Sequence, residues 1–308
     1  MAHLGRVGTA TADTGVSTLA ITLTAGVPVG ATVLVGCVWE AGGGTGVPTI
    51  SSVVDSSGNT YTTTPDVTTG GVDNVTVAGA VLRGTIATAL DEGDTITVTI
   101  SGGTRSKWAL QADAFDDLDA SPLDEVATTG NTSSSSATPS TGTTAETNGP
   151  NRLLYAIFGF GQGRTVTIPE GWSGDTKVET TAGSGNRALQ AIWKYVTAAD
   201  TYAGTITLSS ASTFAACIAT YAYTPAEPED PPVAQVSQLA IEVPQAGEVK
   251  VARVSQLRIE VPQATLGTVR VSQLRITVPS APGQAPYTGL KAKVDGKLWN
   301  SEIWAAGD

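Results

Sequence analysis

Apolar and polar residues alternate along much of this chain. The alternation is clearest toward its C-terminal end, where one short pattern occurs three times: Val236-Ser-Gln-Leu-Ala-Ile-Glu-Val-Pro244, Val254-Ser-Gln-Leu-Arg-Ile-Glu-Val-Pro262 and Val271-Ser-Gln-Leu-Arg-Ile-Thr-Val-Pro279. The starts lie 18 and 17 residues apart. In each copy one side carries aliphatic residues: Leu239, Ile241 and Val243, then Leu257, Ile259 and Val261, then Leu274, Ile276 and Val278. The other side carries Gln238, Ala240 and Glu242 and their counterparts. A period of two over about eight residues predicts a strand with one buried face, and proline ends each copy because it cannot donate the next ladder hydrogen bond. Three buried aliphatic side chains contribute roughly 1.5–3 kcal/mol each. Ordering eight backbone residues costs roughly 1–2 kcal/mol per residue. A lone copy is therefore unstable and needs partner strands, from its sisters or from another subunit. The nine aliphatic positions are accordingly expected to form an assembly interface.

Upstream, residues 1–225 read as one strand pattern used twice. Ala31-Thr-Val-Leu-Val-Gly-Cys-Val-Trp39 corresponds to Asn151-Arg-Leu-Leu-Tyr-Ala-Ile-Phe158, and Val75–Arg83 to Arg187–Tyr195. Gly93-Asp-Thr-Ile-Thr-Val-Thr-Ile100 corresponds to Ala203-Gly-Thr-Ile-Thr-Leu-Ser209, and Lys107–Phe115 to Thr213–Tyr221. Four landmarks in the same order predict an internal duplication. Each lobe holds about seven short strands between Gly, Asp, Asn and Pro turns, as in an antiparallel sandwich or jelly roll. The boundary is placed at the acidic turn Asp116–Pro122. Asn131-Thr-Ser-Ser-Ser-Ser-Ala-Thr-Pro139 reads either as a linker or as an exposed edge strand of the second lobe; its match in position to Thr9–Thr24 favours the strand.

The expected fold class is all-β: two tandem, internally duplicated, jelly-roll-like antiparallel sandwich lobes followed by an extended strand-repeat tail. The divisions are lobe one at 1–119, lobe two at 120–224, a Pro-rich linker at 225–232, the repeats at 233–280, and a spacer with a C-terminal hairpin at 281–308. Thr224-Pro-Ala-Glu-Pro-Glu-Asp-Pro-Pro232 reads as a stiff extended spacer. Lys293-Val-Asp-Gly-Lys-Leu-Trp299 reads as a hairpin with a type I′ turn at Asp-Gly. Trp299 and Trp304 need a surface to bury against and join the expected assembly interface.

Composition narrows the functions available. Small and β-branched residues dominate, only 15% of residues are charged, and 17 Lys and Arg against 28 Asp and Glu give a net charge of −11. That balance argues against a nucleic-acid surface. No apolar run of about 18 residues is present to span a membrane, and Met-Ala-His-Leu-Gly-Arg lacks the layout of a secretory signal. Cys37 and Cys217, far apart in apolar runs, read as buried thiols.

Little in the residue inventory points to catalysis. The single histidine, His3, removes Ser-His-Asp, Cys-His and multi-histidine zinc chemistry, and it reads as an incidental surface residue. Asp113, Asp116, Asp117, Asp119 and Asp124 cluster in sequence and are weighed as Ca²⁺ ligands or a glycosidase pair. Acidic turns between strands are the simpler reading. Asp55-Ser-Ser-Gly-Asn-Thr60 and Gly42-Gly-Gly-Thr-Gly46 read as hairpin turns. Trp172 is weighed between sugar stacking and strand-end packing, with packing favoured. No enzyme, cofactor or bound metal is expected.

Val53-Val-Asp-Ser-Ser-Gly-Asn-Thr-Tyr61, Gly93-Asp-Thr-Ile-Thr-Val-Thr99 and Ser121-Pro-Leu-Asp124 resemble β-sandwich modules of bacteriophage structural proteins and bacterial surface proteins. The repeated Val-Ser-Gln-Leu-Arg-Ile-Glu-Val and the Lys-Val-Asp-Gly-Lys-Leu-Trp ending look like the tails of phage virion proteins. The resemblance implies a fibre, tail-tip or head-decoration protein, made in the host cytoplasm and carried in the virion. It implies a homo-oligomer, with a trimer favoured, that contacts other virion proteins. The alternative expectation is a carbohydrate-binding adhesin acting on a host surface glycan.

Overall fold

The computed structural model describes residues 2–42, 48–70, 77–102, 104–161, 163–181 and 186–225, with four short strands at 239–242, 274–277, 291–294 and 297–300. Every regular element among them is a strand, and no helix occurs among the described residues. The chain divides into two compact units, Met1–Ala226 and Glu227–Asp308.

The first unit begins with β1 (His3–Ala12), β2 (Thr18–Leu23), β3 (Thr32–Gly42), β4 (Thr49–Asp55), β5 (Thr60–Tyr61), β6 (Val67–Thr69), β7 (Ala78–Thr85), β8 (Thr95–Ser101) and β9 (Thr104–Phe115). They form one sheet in the order β4-β8-β2-β1-β9-β3-β7-β5, with β6 also on β7. The sheet closes over a core drawn from both of its ends, including Ile21, Val33, Val35, Trp39, Ile96, Val98, Trp108 and Leu110. Alternation in Trp108, Leu110, Ala112 and Ala114 supplies one wall and Ile96, Val98 and Ile100 the opposite one. The result is a nearly closed, barrel-like sandwich.

The second sheet contains β10 (Leu118–Ser136), β11 (Arg152–Gly161), β13 (Val178–Glu179), β14 (Arg187–Val196) and β16 (Ser212–Tyr223), in the order β10-β16-β11-β14-β13. A small ribbon pairs β12 (Val166–Thr167) with β15 (Thr207–Leu208). Asn131–Ser136 thus belongs to an edge strand, the second of the two sequence readings. All ten residues of β11 are buried. Leu154, Ala156, Phe158 and Phe160 enter a core shared with Ile206, Leu208 and Ile218, against which Trp172 packs. Leu153, Tyr155 and Ile157 point the other way, into a third core.

That third core joins the two halves of the unit. Leu34, Val38, Val81 and Phe115 from the first sheet meet Leu153, Tyr155, Ile157, Leu189 and Tyr221 from the second. The face of β9 that would be outward in an isolated sandwich is therefore covered. The boundary expected at 119/120 falls near the start of β10 and separates two sheets that share this core. Polar contacts reinforce the junction. Arg187 Nη2 donates to Glu40 Oε1 at 2.8 Å, Arg6 Nη1 to the Thr176 carbonyl at 2.7 Å, and Thr181 N to Asp13 Oδ1 at 3.0 Å.

In the second unit, β17 (Leu239–Glu242) and β18 (Leu274–Thr277) pair in parallel, with Leu239 opposite Leu274 and Ile241 opposite Ile276. These are equivalent positions of the first and third copies of the repeat. β19 (Lys291–Val294) and β20 (Lys297–Asn300) form an antiparallel pair with Val294 opposite Lys297; the expected Asp-Gly turn between them lies outside the described residues.

Candidate functional site

The most distinctive polar cluster lies in the junction between the two sheets. It is built from β1, β9, β11, β14 and the segment between β12 and β13. Asp113 on β9 is fully buried. Its Oδ2 accepts a hydrogen bond from Tyr155 Oη at 2.6 Å, and Gln111 Nε2 donates to Oδ1 and Oδ2 at 3.1 and 2.9 Å. Burial and the neighbouring Asp113 charge push the Tyr155 hydroxyl well above its ordinary pKa, so it stays a protonated donor.

A β-bulge brings His3 to the cluster. The register of β1 on β9 pairs His3 with Phe115, Gly5 with Ala114 and Arg6 with Asp113, so Leu4 is an extra residue. Gly5 sits at φ +126°, a conformation that L side chains rarely adopt. Without the extra residue His3 and Arg6, three positions apart, would face opposite sides; with it both face the second sheet. The imidazole lies on Trp193, ring centroids 4.0 Å apart, and near Phe115 at 4.9 Å. Only 16% of the His3 side chain is exposed, and Nε2 is 3.6 Å from Asp113 Oδ1. The expectation of an incidental surface histidine is therefore corrected.

Asp175 completes the group. Ser173 exchanges both backbone hydrogen bonds with Trp193, and Gln190 Nε2 donates to the Asp175 carbonyl at 2.8 Å. Gly174 allows this close approach, since a Cβ there would sit 2.7 Å from the Ala191 carbonyl oxygen. One ligand atom from each of His3, Asp113 and Asp175 falls within 4.8 Å of the others. His3 Nε2 and Asp175 Oδ2 are buried without a hydrogen-bond partner. An imidazole nitrogen with two carboxylates is a donor set suited to a divalent metal ion.

Asp175 also lines an open groove of about 520 Å³ with Arg164, Lys177, Glu179 and Gln190. The charges of this groove are largely engaged within the protein. Lys177 Nζ pairs with Glu179, Asn186 Nδ2 donates to Glu179 Oε1 at 2.9 Å, and Arg164 donates to the carbonyls of Ser210 and Ala211.

The acidic sequence cluster is dispersed. Asp113 is in the junction, Asp116 accepts from the Ala2 amide, Asp119 from Thr224 Oγ1, and Asp124 pairs with Arg152. Asp117 takes a left-handed turn conformation at φ 56°. The Asp55–Thr60 turn is self-satisfied: Asp55 Oδ1 accepts from the Ser57 and Asn59 amides, and Asn59 Oδ1 from those of Ala87 and Thr88. Cys37 and Cys217 are buried free thiols, and burial raises both well above the ordinary thiol range. Of the expected interface residues, Leu239 and Ile241 lie in β17, Leu274 and Ile276 in β18, and Trp299 in β20. Val243, Leu257, Ile259, Val261, Val278 and Trp304 lie outside the described residues, as does most of the Gly42–Gly46 loop.

Sequence reading missed His3, Gln111, Tyr155 and Asp175. The available signal was Asp113 itself, a carboxylate in the middle of a strand whose neighbours are nearly all apolar. Comparison of the chain with known protein families, curated proteins and solved structures finds no match.

Proposed function

We propose that this chain is a structural or appendage protein of a bacteriophage virion, a fibre, tail-tip or head decoration. It assembles through its C-terminal repeats, with a trimer favoured, and displays the double-sheet body. The observation that carries this reading is the parallel, in-register pairing of β17 with β18. Equivalent positions of two repeat copies lie side by side, as they do where repeats stack into a fibrous array. Two strands of four residues do not stand alone in water, so further strands are required, and other copies of the chain can supply them.

The body fits the role of a rigid displayed module. The orders β1-β9-β3-β7 and β10-β16-β11-β14 correspond strand for strand, which supports an internal duplication. The ladder sharpens the alignment. Thr32 lies opposite Phe115, and Leu153 opposite Tyr221. If Phe115 and Tyr221 are equivalent, Thr32 corresponds to Leu153, one residue from the pairing that the sequence text suggests. With that shift Val33 and Leu154 both enter the cores of their own halves. Trp172, the residue weighed for sugar stacking in the adhesin alternative, is partly buried against the second-half core.

Light scattering on the full chain and on a chain ending at Ala226 tests the proposal. The full chain is expected to be oligomeric and the shortened one a folded monomer. Equal subunit number in both would refute assembly through the repeats.

A further inference from the structure

We propose that His3, Asp113 and Asp175 bind a divalent transition-metal ion of the zinc class. The ion ties β1 and β9 of the first sheet to the segment that runs beside β14 in the second. Three observations converge on this site. The three ligand atoms come from separate parts of the chain yet lie within 4.8 Å of one another. Two of the three side chains carry a buried atom without a hydrogen-bond partner, His3 Nε2 and Asp175 Oδ2, an arrangement that desolvation makes unfavourable unless something else satisfies them. The third is a fully buried carboxylate, whose charge needs a counter-ion.

The spacing fits two ligands of one metal ion better than a direct hydrogen bond. A protonated imidazole would close on Asp113 to a hydrogen bond of about 2.8 Å. The observed 3.6 Å is too long for that bond. It suits two neighbouring ligands of one ion, each about 2.0–2.2 Å from it. A neutral imidazole and two carboxylates balance a dication. An imidazole in the set favours zinc-like ions over Ca²⁺ and Mg²⁺, which take oxygen ligands.

The surroundings have the form of a metal outer shell. Tyr155 and Gln111 fix the Asp113 carboxylate, Trp193 and Phe115 hold the imidazole plane, and Gln190 holds the Asp175 backbone. Asp175 also borders the open groove, so water can complete the coordination. The ion cross-links the two sheets and anchors the N-terminal strand.

The test uses the tag-free full chain, stripped with chelator and titrated with Co²⁺ and then Zn²⁺. Expected are one Co²⁺ per chain with visible d–d absorption, and its displacement by one Zn²⁺. At Zn²⁺ 100 times above Kd the unfolding constant should fall about 100-fold. His3→Ala, His3→Gln and Asp175→Asn should each weaken binding by at least the roughly 10–100-fold typical of outer-shell changes. Their metal-free circular dichroism should match that of the parent chain. Three results would each overturn the proposal: no stoichiometric uptake, uptake that persists in all three variants, or uptake without stabilisation.

Discussion

Gly159 shows how closely the two sheets of the body approach. A Cβ at this position would sit 2.6 Å from Val38 Cγ1 and 2.8 Å from Val77 Cγ1. Gly159→Ala must push valines on the facing sheet aside, and overpacking of this kind costs about 1–3 kcal/mol. Urea unfolding of the variant should show that loss as a lower midpoint with an unchanged slope. Asp124 makes a prediction with a pH sign. Burial opposes its ionisation, but the hydrogen bonds from Arg152 and Asn148 outweigh burial and hold the carboxyl below the usual carboxylate range. A pKa lower in the folded chain than in the unfolded one stabilises the fold above about pH 4. That contribution is lost as pH falls through the folded value. Asp124→Asn should therefore cost about 1–3 kcal/mol near pH 7, and the difference from the parent chain should shrink steadily below pH 4. The junction residues were the least legible at this scale. Alternation groups Trp108 with Leu110 on one face of β9 and Gln111 with Asp113 on the other, and nothing in a period of two reveals that a second sheet covers that other face.

Strands were far more legible than their surroundings. The landmark runs emerge as β3, β7, β8 and β9 and as β11, β14, β15 and β16, since β-branched runs between Gly and Asp turns have few other outcomes. β11 even announced its double burial. Arg152–Gly161 is almost continuously apolar, as strands covered on both faces are, and all ten residues are buried. The β1 bulge was hidden. The two glycines of this stretch, Gly5 and Gly8, give no warning that Leu4 is an extra residue, yet that residue decides which way His3 faces. In the tail, the pairing of β17 with β18 places copies one and three in register, and the middle copy carries the same pattern. If the copies act as equivalent assembly strands, Ile259→Asp introduces a charge into an apolar face. The variant should then lose subunit association while keeping the far-UV spectrum and melting temperature of the body. Light scattering and calorimetry on the same preparation check both halves of this statement.

Across the whole molecule, the body encloses three cores, one in each half and one between them, while residues 227–308 form a separate unit. The all-β character was readable before the structure, but the shared core was not, because apolar faces identify burial without naming the partner. Such a body needs no help to bury its sheets. Among the described residues of the repeats, two strands of four residues pair with each other. The account therefore turns on the repeats joining separate chains. Sedimentation equilibrium of the full chain over a range of concentrations measures this most directly. The predicted mass is three times the chain's 31.2 kDa, falling to the monomer value when Glu227–Asp308 is removed. A full chain that stays at 31.2 kDa at every concentration would contradict it.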